Sequence, residues 1–357
     1  MQVTESNLKI QSITLECGAT LKDVNVRYHV FGDINKNPDK IVWVCHAFTA
    51  NSDAVDWWPG IVGEGFIFDP NTTPVICVNY LGSCYGTTGP MSINPDTGKP
   101  YLQSFPLITI RDMAEVHQKV KEHLGIKKIW ILIGGSIGGF QLLEWEYLYP
   151  GTAEIIIPIV CSAKTLPWVI AISQSQRLSL LADSTFRNQE IDGGKEGLKA
   201  ARSIALLSYR GRSSYNLTQQ DKSIDLMDGF RADSYQTYQG EKLVKRFDAY
   251  TYYTLTKALD SHNMGRYRGG VDRALAQIKA RTLVVGIDSD ILFPIEEQKD
   301  LAVMIPNATY AEIHSNFCHD GFLIEHEQLT RIIKQFLQIE KSNGSEDDES
   351  WSIDRGI

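Results

Sequence analysis

Gly134-Gly135-Ser136-Ile137-Gly138 sets a serine inside a G-x-S-x-G sequence, directly after the apolar run Ile129 to Ile133 and just before Phe140-Gln141-Leu142-Leu143-Glu144-Trp145. A serine hydroxyl is a poor nucleophile, and a sharp strand-to-helix turn is one way to present it for attack. Such a turn tolerates only small neighbours, which the glycines at 134, 135, 138 and 139 supply. The residues from Phe140 read as the start of a helix, so Ser136 stands at that helix's positive N-terminal end. The chemistry this pattern suits is acyl transfer through a nucleophilic serine.

An elbow serine needs a base, and the base needs a carboxylate to orient it, in the chain order Ser, Asp or Glu, His. Two stretches fit: Asp288-Ser289-Asp290-Ile291-Leu292-Phe293-Pro294 and His314-Ser315-Asn316-Phe317-Cys318-His319-Asp320-Gly321. Each follows a strand-like run, at the edge where open α/β sheets place their sites. Asp290 is the favoured acid; Asp288, nearer its strand, is the alternative and suits bracing the turn. His319, in a loop that leads into a helix, is favoured over His314, which follows its strand directly. The remaining histidines, among them His29, His117, His123, His262 and His326, read as core or surface residues. A carbonyl under attack also needs preorganised N–H donors. Ile137, after the nucleophile, is one expected donor, and Phe48 in Cys45-His46-Ala47-Phe48-Thr49 is the other, with Ala47 its nearest competitor.

These loops require strands behind them. Short runs rich in β-branched residues recur at 41–45, 75–79, 129–133, 155–160, 282–287 and 308–313. Between them lie helical patterns such as 110–124, with apolar residues at 110, 113, 116, 120 and 124, and a helix is expected from Val271 through Ile278 ahead of the run at 282–287. Strand and helix alternate, so the expected fold class is α/β, a mostly parallel sheet covered on both faces. The alternation lapses between 166 and 265, where polar, aromatic and helix-compatible residues predict a helical insertion. The expected organisation is a core over 1–165, a helical lid over 166–265, the rest of the core over 266–340, and a flexible acidic tail over 341–357.

Composition narrows the function classes. The 357 residues are 43% hydrophobic and 22% charged, within the globular range, and the net charge of −8 disfavours nucleic-acid binding. No apolar run reaches transmembrane length, and the N-terminus lacks a leader pattern, so a cytoplasmic protein is expected. Cys17, Cys45, Cys77, Cys84, Cys161 and Cys318 show no C-x-x-C spacing, so neither a disulfide framework nor a zinc site is expected.

With the site assembled, the chain resembles the homoserine O-acetyltransferases of methionine biosynthesis and their homoserine O-succinyltransferase relatives in the α/β-hydrolase superfamily. Segments that carry the resemblance include Cys45 to Thr49, Asn79 to Pro90, Thr109 to Met113, Gly134 to Gly139, Tyr238 to Lys242, Arg246 to Ala249, and Ser289-Asp290 with Leu292-Phe293-Pro294. The resemblance implies a triad of Ser136, Asp290 and His319, acetyl-CoA as co-substrate, L-homoserine as acceptor, no metal and a homodimer. It implies substrate contacts at Asp320 and at Arg210 of Ser208-Tyr209-Arg210, with Arg212 the competing arginine. An acceptor amino acid offers a carboxylate to a guanidinium and an ammonium to a carboxylate. Succinyl transfer to homoserine, acetyl transfer to serine, and an esterase or thioesterase are the alternatives. This chain departs from the family at Cys318, where glycine is usual, and at Ser173-Gln174-Ser175-Gln176-Arg177, a stretch whose place in the acceptor pocket decides whether acceptor choice has drifted.

Overall fold

The computed structural model describes residues 1–342. Eight strands form one sheet: β1 (Val3–Thr14), β2 (Thr20–Phe31), β3 (Val42–Cys45), β4 (Val75–Val78), β5 (Ile129–Gly135), β6 (Ala153–Ile159), β7 (Arg281–Ile287) and β8 (Ala308–Ile313). Their spatial order is β1-β2-β4-β3-β5-β6-β7-β8. From β4 to β8 all neighbours are parallel; β1 and β2 pair antiparallel with each other, and β2 antiparallel with β4.

Alternation within the parallel strands divides the core. Trp43, Cys45, Leu132, Ile156 and Val284 face one cluster, while Val42, Val44, Ile131, Ile133, Ile157 and Val285 face another. Helices α1 (Ile110–His123) and α2 (Ile137–Leu148) close the first face, α1 through Ile110, Met113, Val116 and Val120. A capping box between Thr109 and Asp112 fixes where α1 begins.

Between β6 and β7 the chain runs through α3 (Pro167–Ala182), α4 (Lys195–Thr218), α5 (Arg231–Val244) and α6 (Ala249–Asp260). After β7 come α7 (Ile295–Met304) and, beyond β8, α8 (His326–Ser342), whose Leu329, Ile333 and Phe336 cover the second face. No helix among the described residues is long and apolar enough to cross a membrane. Of the acidic tail expected from 341, residues 343–357 lie outside the described residues.

Two features differ from the sequence reading. The sheet begins 38 residues earlier than the run at 41, because β1 and β2 were not expected to be strands. The helix expected from Val271 through Ile278 stops at Leu275, since Gln277 and Ile278 donate to the carbonyls three residues back instead of four.

Candidate active site

Ser136 ends β5 and opens α2 with φ 59° and ψ −126°, a left-handed backbone unusual for a residue with a side chain. Its N–H donates to Ile159 O at 2.9 Å, so β6 holds the strained turn in place. Close approach explains the following glycine: a Cβ on Gly138 would lie 2.1 Å from the Cys45 carbonyl oxygen.

His319 follows β8 in the short 3-10 turn Cys318–Asp320, and Asp290 follows β7. The His319 Nδ1 to Asp290 Oδ2 distance is 2.7 Å, with both side chains buried. Asp290 Oδ1 accepts from Leu292 N at 2.8 Å and Phe293 N at 3.0 Å, which fixes the carboxylate plane. Phe293, Phe322 and Tyr209 wall the imidazole at centroid separations of 5.5 to 5.8 Å. The two competing residues find each other instead. His314 Nδ1 lies 3.0 Å from Asp288 Oδ2, and the side chains are 75% and 39% exposed. With Glu312 they bring three ligand atoms within 4.8 Å of one another on the surface. Neither residue lines the cavity described next.

Ser136, His319, Phe48, Arg210 and Asp320 all line one cavity of about 450 Å³. The N–H groups of Ala47, Phe48 and Ile137 have no partner among the described residues. For Ile137 the cause is its place in the first turn of α2. Tyr80 Oη donates to Phe48 O at 2.5 Å and Ala50 N to Ala47 O at 3.0 Å, so the loop carrying these donors is braced. Beneath it His46 is buried and stacked on Tyr80, with burial pushing its imidazole down to about 3, so it is neutral.

Arg210 Nε lies 3.1 Å from Asp320 Oδ2, so the two expected acceptor contacts pair with each other across the cavity wall. Arg212 is exposed and does not line the cavity. The divergent stretch 173–177 does not line it either. Gln176 accepts from Tyr252 Oη at 2.9 Å and Arg177 pairs with Asp260 at 2.6 Å, which ties α3 to α6.

Cys318, the other departure, adopts φ 51°, a conformation glycine takes without strain. Its thiol fills the space beside Gly211, where α4 kinks at φ 58° and ψ −179°, and a Cβ on Gly211 would lie 2.3 Å from Cys318 Sγ. The kink sits next to Arg210, so the histidine loop and the arginine's helix are fitted to each other at this contact.

Two supports escaped the sequence reading. Ser289 Oγ accepts from Cys318 N at 3.1 Å and donates to Ser315 O, joining the loops that carry Asp290 and His319. Arg246, just past α5, donates to Thr49 O, to Thr49 Oγ1 at 3.3 Å and to Tyr85 Oη at 2.6 Å, clamping the loop of Phe48. Both residues stood inside segments singled out for their pattern, but only the contacts give them a task.

The α/β hydrolase fold family matches residues 40–325. A homoserine O-acetyltransferase of Cyclobacterium marinum is 43% identical over 326 residues, covering 91% of this chain and 93% of that protein. One from Chloroherpeton thalassium is 44% identical over 327 residues, covering 91% and 86%. Among solved structures, homoserine O-acetyltransferase from Bacillus anthracis superposes with a TM-score of 0.88 at 22% identity, over 94% of this chain and 98% of that one. Esterase E22 superposes at 0.84 with 25% identity, over 94% and 100%. On the identity and coverage of these relatives, the chain belongs to the homoserine O-acetyltransferase family within the α/β hydrolases.

Proposed function

We propose that the protein transfers an acetyl group from acetyl-CoA to the hydroxyl of L-homoserine, the acylation step its family serves in methionine biosynthesis. The observation that carries this reading is the Arg210–Asp320 pair on the wall of the cavity that also holds Ser136 and His319. A hydrolase needs only water beside its acyl-serine. A guanidinium and a carboxylate set there match the carboxylate and ammonium of an amino-acid acceptor.

In this mechanism His319 Nε2 takes the Ser136 proton as Oγ attacks the thioester carbonyl, and Asp290 steadies the imidazolium through Nδ1. The oxyanion rests on the N–H groups of Phe48 and Ile137. Collapse expels the thiolate of coenzyme A, which takes the proton from His319 and leaves an acetyl-serine. Homoserine, oriented by Arg210 and Asp320, then gives its hydroxyl proton to His319 and attacks the acyl carbon, and the serine leaves reprotonated. The kinetics are ping-pong. Transfer outruns hydrolysis when the acceptor is held at an effective molarity on the order of 10⁵ M or more. The helices at 167–260 act as a lid that holds the acceptor and excludes water. No step passes through a metal. We place the enzyme in the cytoplasm as a homodimer joined through this lid, a reading supported by exposed Leu207, Leu217, Ile224 and Met227; sedimentation at micromolar protein tests the assembly.

The deciding experiment is thiol release from acetyl-CoA and from succinyl-CoA, with and without L-homoserine or L-serine, with the product weighed by mass spectrometry. Acetyl-CoA turnover that requires homoserine supports the reading. Acceptor-independent release supports the esterase reading, which the likeness to esterase E22 favours as the second choice. Ser136→Ala removes the nucleophile and abolishes turnover; retained activity sinks the assignment.

A further inference from the structure

Four cations line the active-site cavity, Arg202, Arg210, Lys242 and Arg246, against two carboxylates, Asp56 and Asp320. This excess of positive charge runs against a chain whose net charge is −8. Two of the cations are already engaged: Arg210 pairs with Asp320, and Arg246 is held by the neutral oxygens of Thr49 and Tyr85. Arg202 and Lys242 have no carboxylate partner among the described residues. Lys242 is exposed and Arg202 half-buried, so both stand toward the mouth, whereas Ser136 and His319 are buried at the floor.

The lid's sequence builds this arrangement. Arg202 and Tyr209 are seven residues apart on α4, hence on one face, and the Arg202 guanidinium lies 5.5 Å from the Tyr209 ring centroid. On α5, Gln239, Lys242 and Leu243 form a stripe at helical spacing that Arg246 continues, and all four line the cavity. The two helices are held in register. Gln236 Nε2 donates to Ser203 O at 3.3 Å, and Gly240 lets α5 approach the Lys199 carbonyl, where a Cβ would come within 2.9 Å. Arg202 and Lys242 therefore face the same opening from adjacent helices.

We propose that Arg202 and Lys242 form an anion subsite at the cavity mouth that binds the phosphate groups of the acyl donor, while the donor's uncharged arm reaches inward to Ser136. The inference rests on the acyl-CoA reading given above and extends it from the reacting carbonyl to the far end of the donor. Unpaired cations at an opening raise the local concentration of a polyanion and add charge-assisted hydrogen bonds that a neutral thioester cannot make.

The test compares acetyl-CoA with S-acetylpantetheine, which carries the same thioester and arm but no phosphate, in wild type, Arg202→Gln, Lys242→Gln and the double variant, each with homoserine. Wild type prefers acetyl-CoA, and its KM for acetyl-CoA rises with salt. Each substitution cuts the ratio of kcat/KM for the two donors by about tenfold, through KM for acetyl-CoA. The double variant also loses the salt dependence. Lys242→Glu lowers the ratio further than Lys242→Gln. Acylation of Ser136 by p-nitrophenyl acetate reports that each variant is folded. A double variant that is acylated normally and keeps the wild-type donor ratio overturns the subsite while leaving the acyltransferase reading intact. A wild type that releases no thiol from acetyl-CoA with homoserine, yet is acylated by p-nitrophenyl acetate, overturns both.

Discussion

Replacing Asp290 with asparagine changes one atom and, by the geometry of this turn, reverses a proton. Oδ1 of Asp290 accepts two backbone N–H groups, from Leu292 at 2.8 Å and Phe293 at 3.0 Å. An asparagine amide must keep its oxygen on those donors, because its NH₂ there would face two N–H groups. Its nitrogen is thereby forced onto His319 Nδ1, the position Oδ2 now occupies at 2.7 Å. Nδ1 must then accept, so the ring proton moves to Nε2, and Nε2 loses the lone pair with which it would take the Ser136 proton. The wrong tautomer in a triad of this kind lowers kcat by about 10⁴-fold, or ~5.5 kcal/mol of transition-state stabilisation. The packing around Asp290 is preserved, so unfolding by urea shifts little. The assay is thiol release in steady state together with the acylation burst from p-nitrophenyl acetate. Both fall by the same factor, since His319 acts in each half-reaction. A loss below tenfold, with the fold intact, would refute the role given to the Asp290–His319 contact.

Gly211→Ala drives a methyl against Cys318 Sγ and strains a nearly glycine-only backbone, so it lowers stability by about 2 kcal/mol or more; adding Cys318→Gly restores part of that in a double-mutant cycle, and strictly additive effects would show the contact to be idle. Arg246→Ala frees the loop of Phe48 and slows acylation by p-nitrophenyl acetate by about tenfold or more, a measurement that involves no phosphate; an unchanged burst would remove Arg246 from the positioning of that loop. Burial pushes the Glu297 carboxyl up to about 7, with repulsion from Asp290 adding to the rise. Its folded value exceeds its unfolded one, so its contribution to stability is present below about pH 4.5 and is lost as the pH rises through about 7. Glu297→Gln removes that loss, and denaturation curves for wild type and variant that stay parallel between about pH 5 and 8 would contradict it.

What the sequence disclosed follows from how each element is covered. The six strands expected as apolar runs, β3 to β8, are those joined by parallel pairing, and all except β8 are buried over most of their length. β1 and β2 lie at the other end, where the middle of β2 is buried at alternate positions, Val24, Val26, Tyr28 and Val30. A search for continuous apolar runs passes over such a strand; a search for period two along 20–31 would find it. The elbow and the two loops were legible because strand ends mark them. The choice of Asp290 over Asp288 and His319 over His314 became a matter of burial: one pair is enclosed by Phe293 and Phe322, the other lies in solvent. Ser289, Gly211 and Arg246 gain their tasks only from contacts between segments far apart in the chain.

The scaffold does not separate transfer from hydrolysis, since an acetyltransferase and an esterase superpose on this chain with TM-scores of 0.88 and 0.84. The distinction has to come from the cavity wall. Without acceptor, Arg210 and Asp320 neutralise each other at 3.1 Å with side chains 27% and 15% exposed, so neither charge is left unpaired. Opening the pair leaves two largely enclosed charges without partners, a cost that is returned only when both find new ones. On the reading proposed above, homoserine reclaims that cost: its carboxylate would replace Asp320 on the guanidinium while its ammonium would replace Arg210 on the carboxylate. Water can do neither. A neutral alcohol that enters must leave the pair closed, and then neither of these two residues orients its hydroxyl. On that reading the same two residues pair with each other in the empty site and select a zwitterionic acceptor. Discrimination follows from the exchange of partners, which only a molecule carrying both charges can complete.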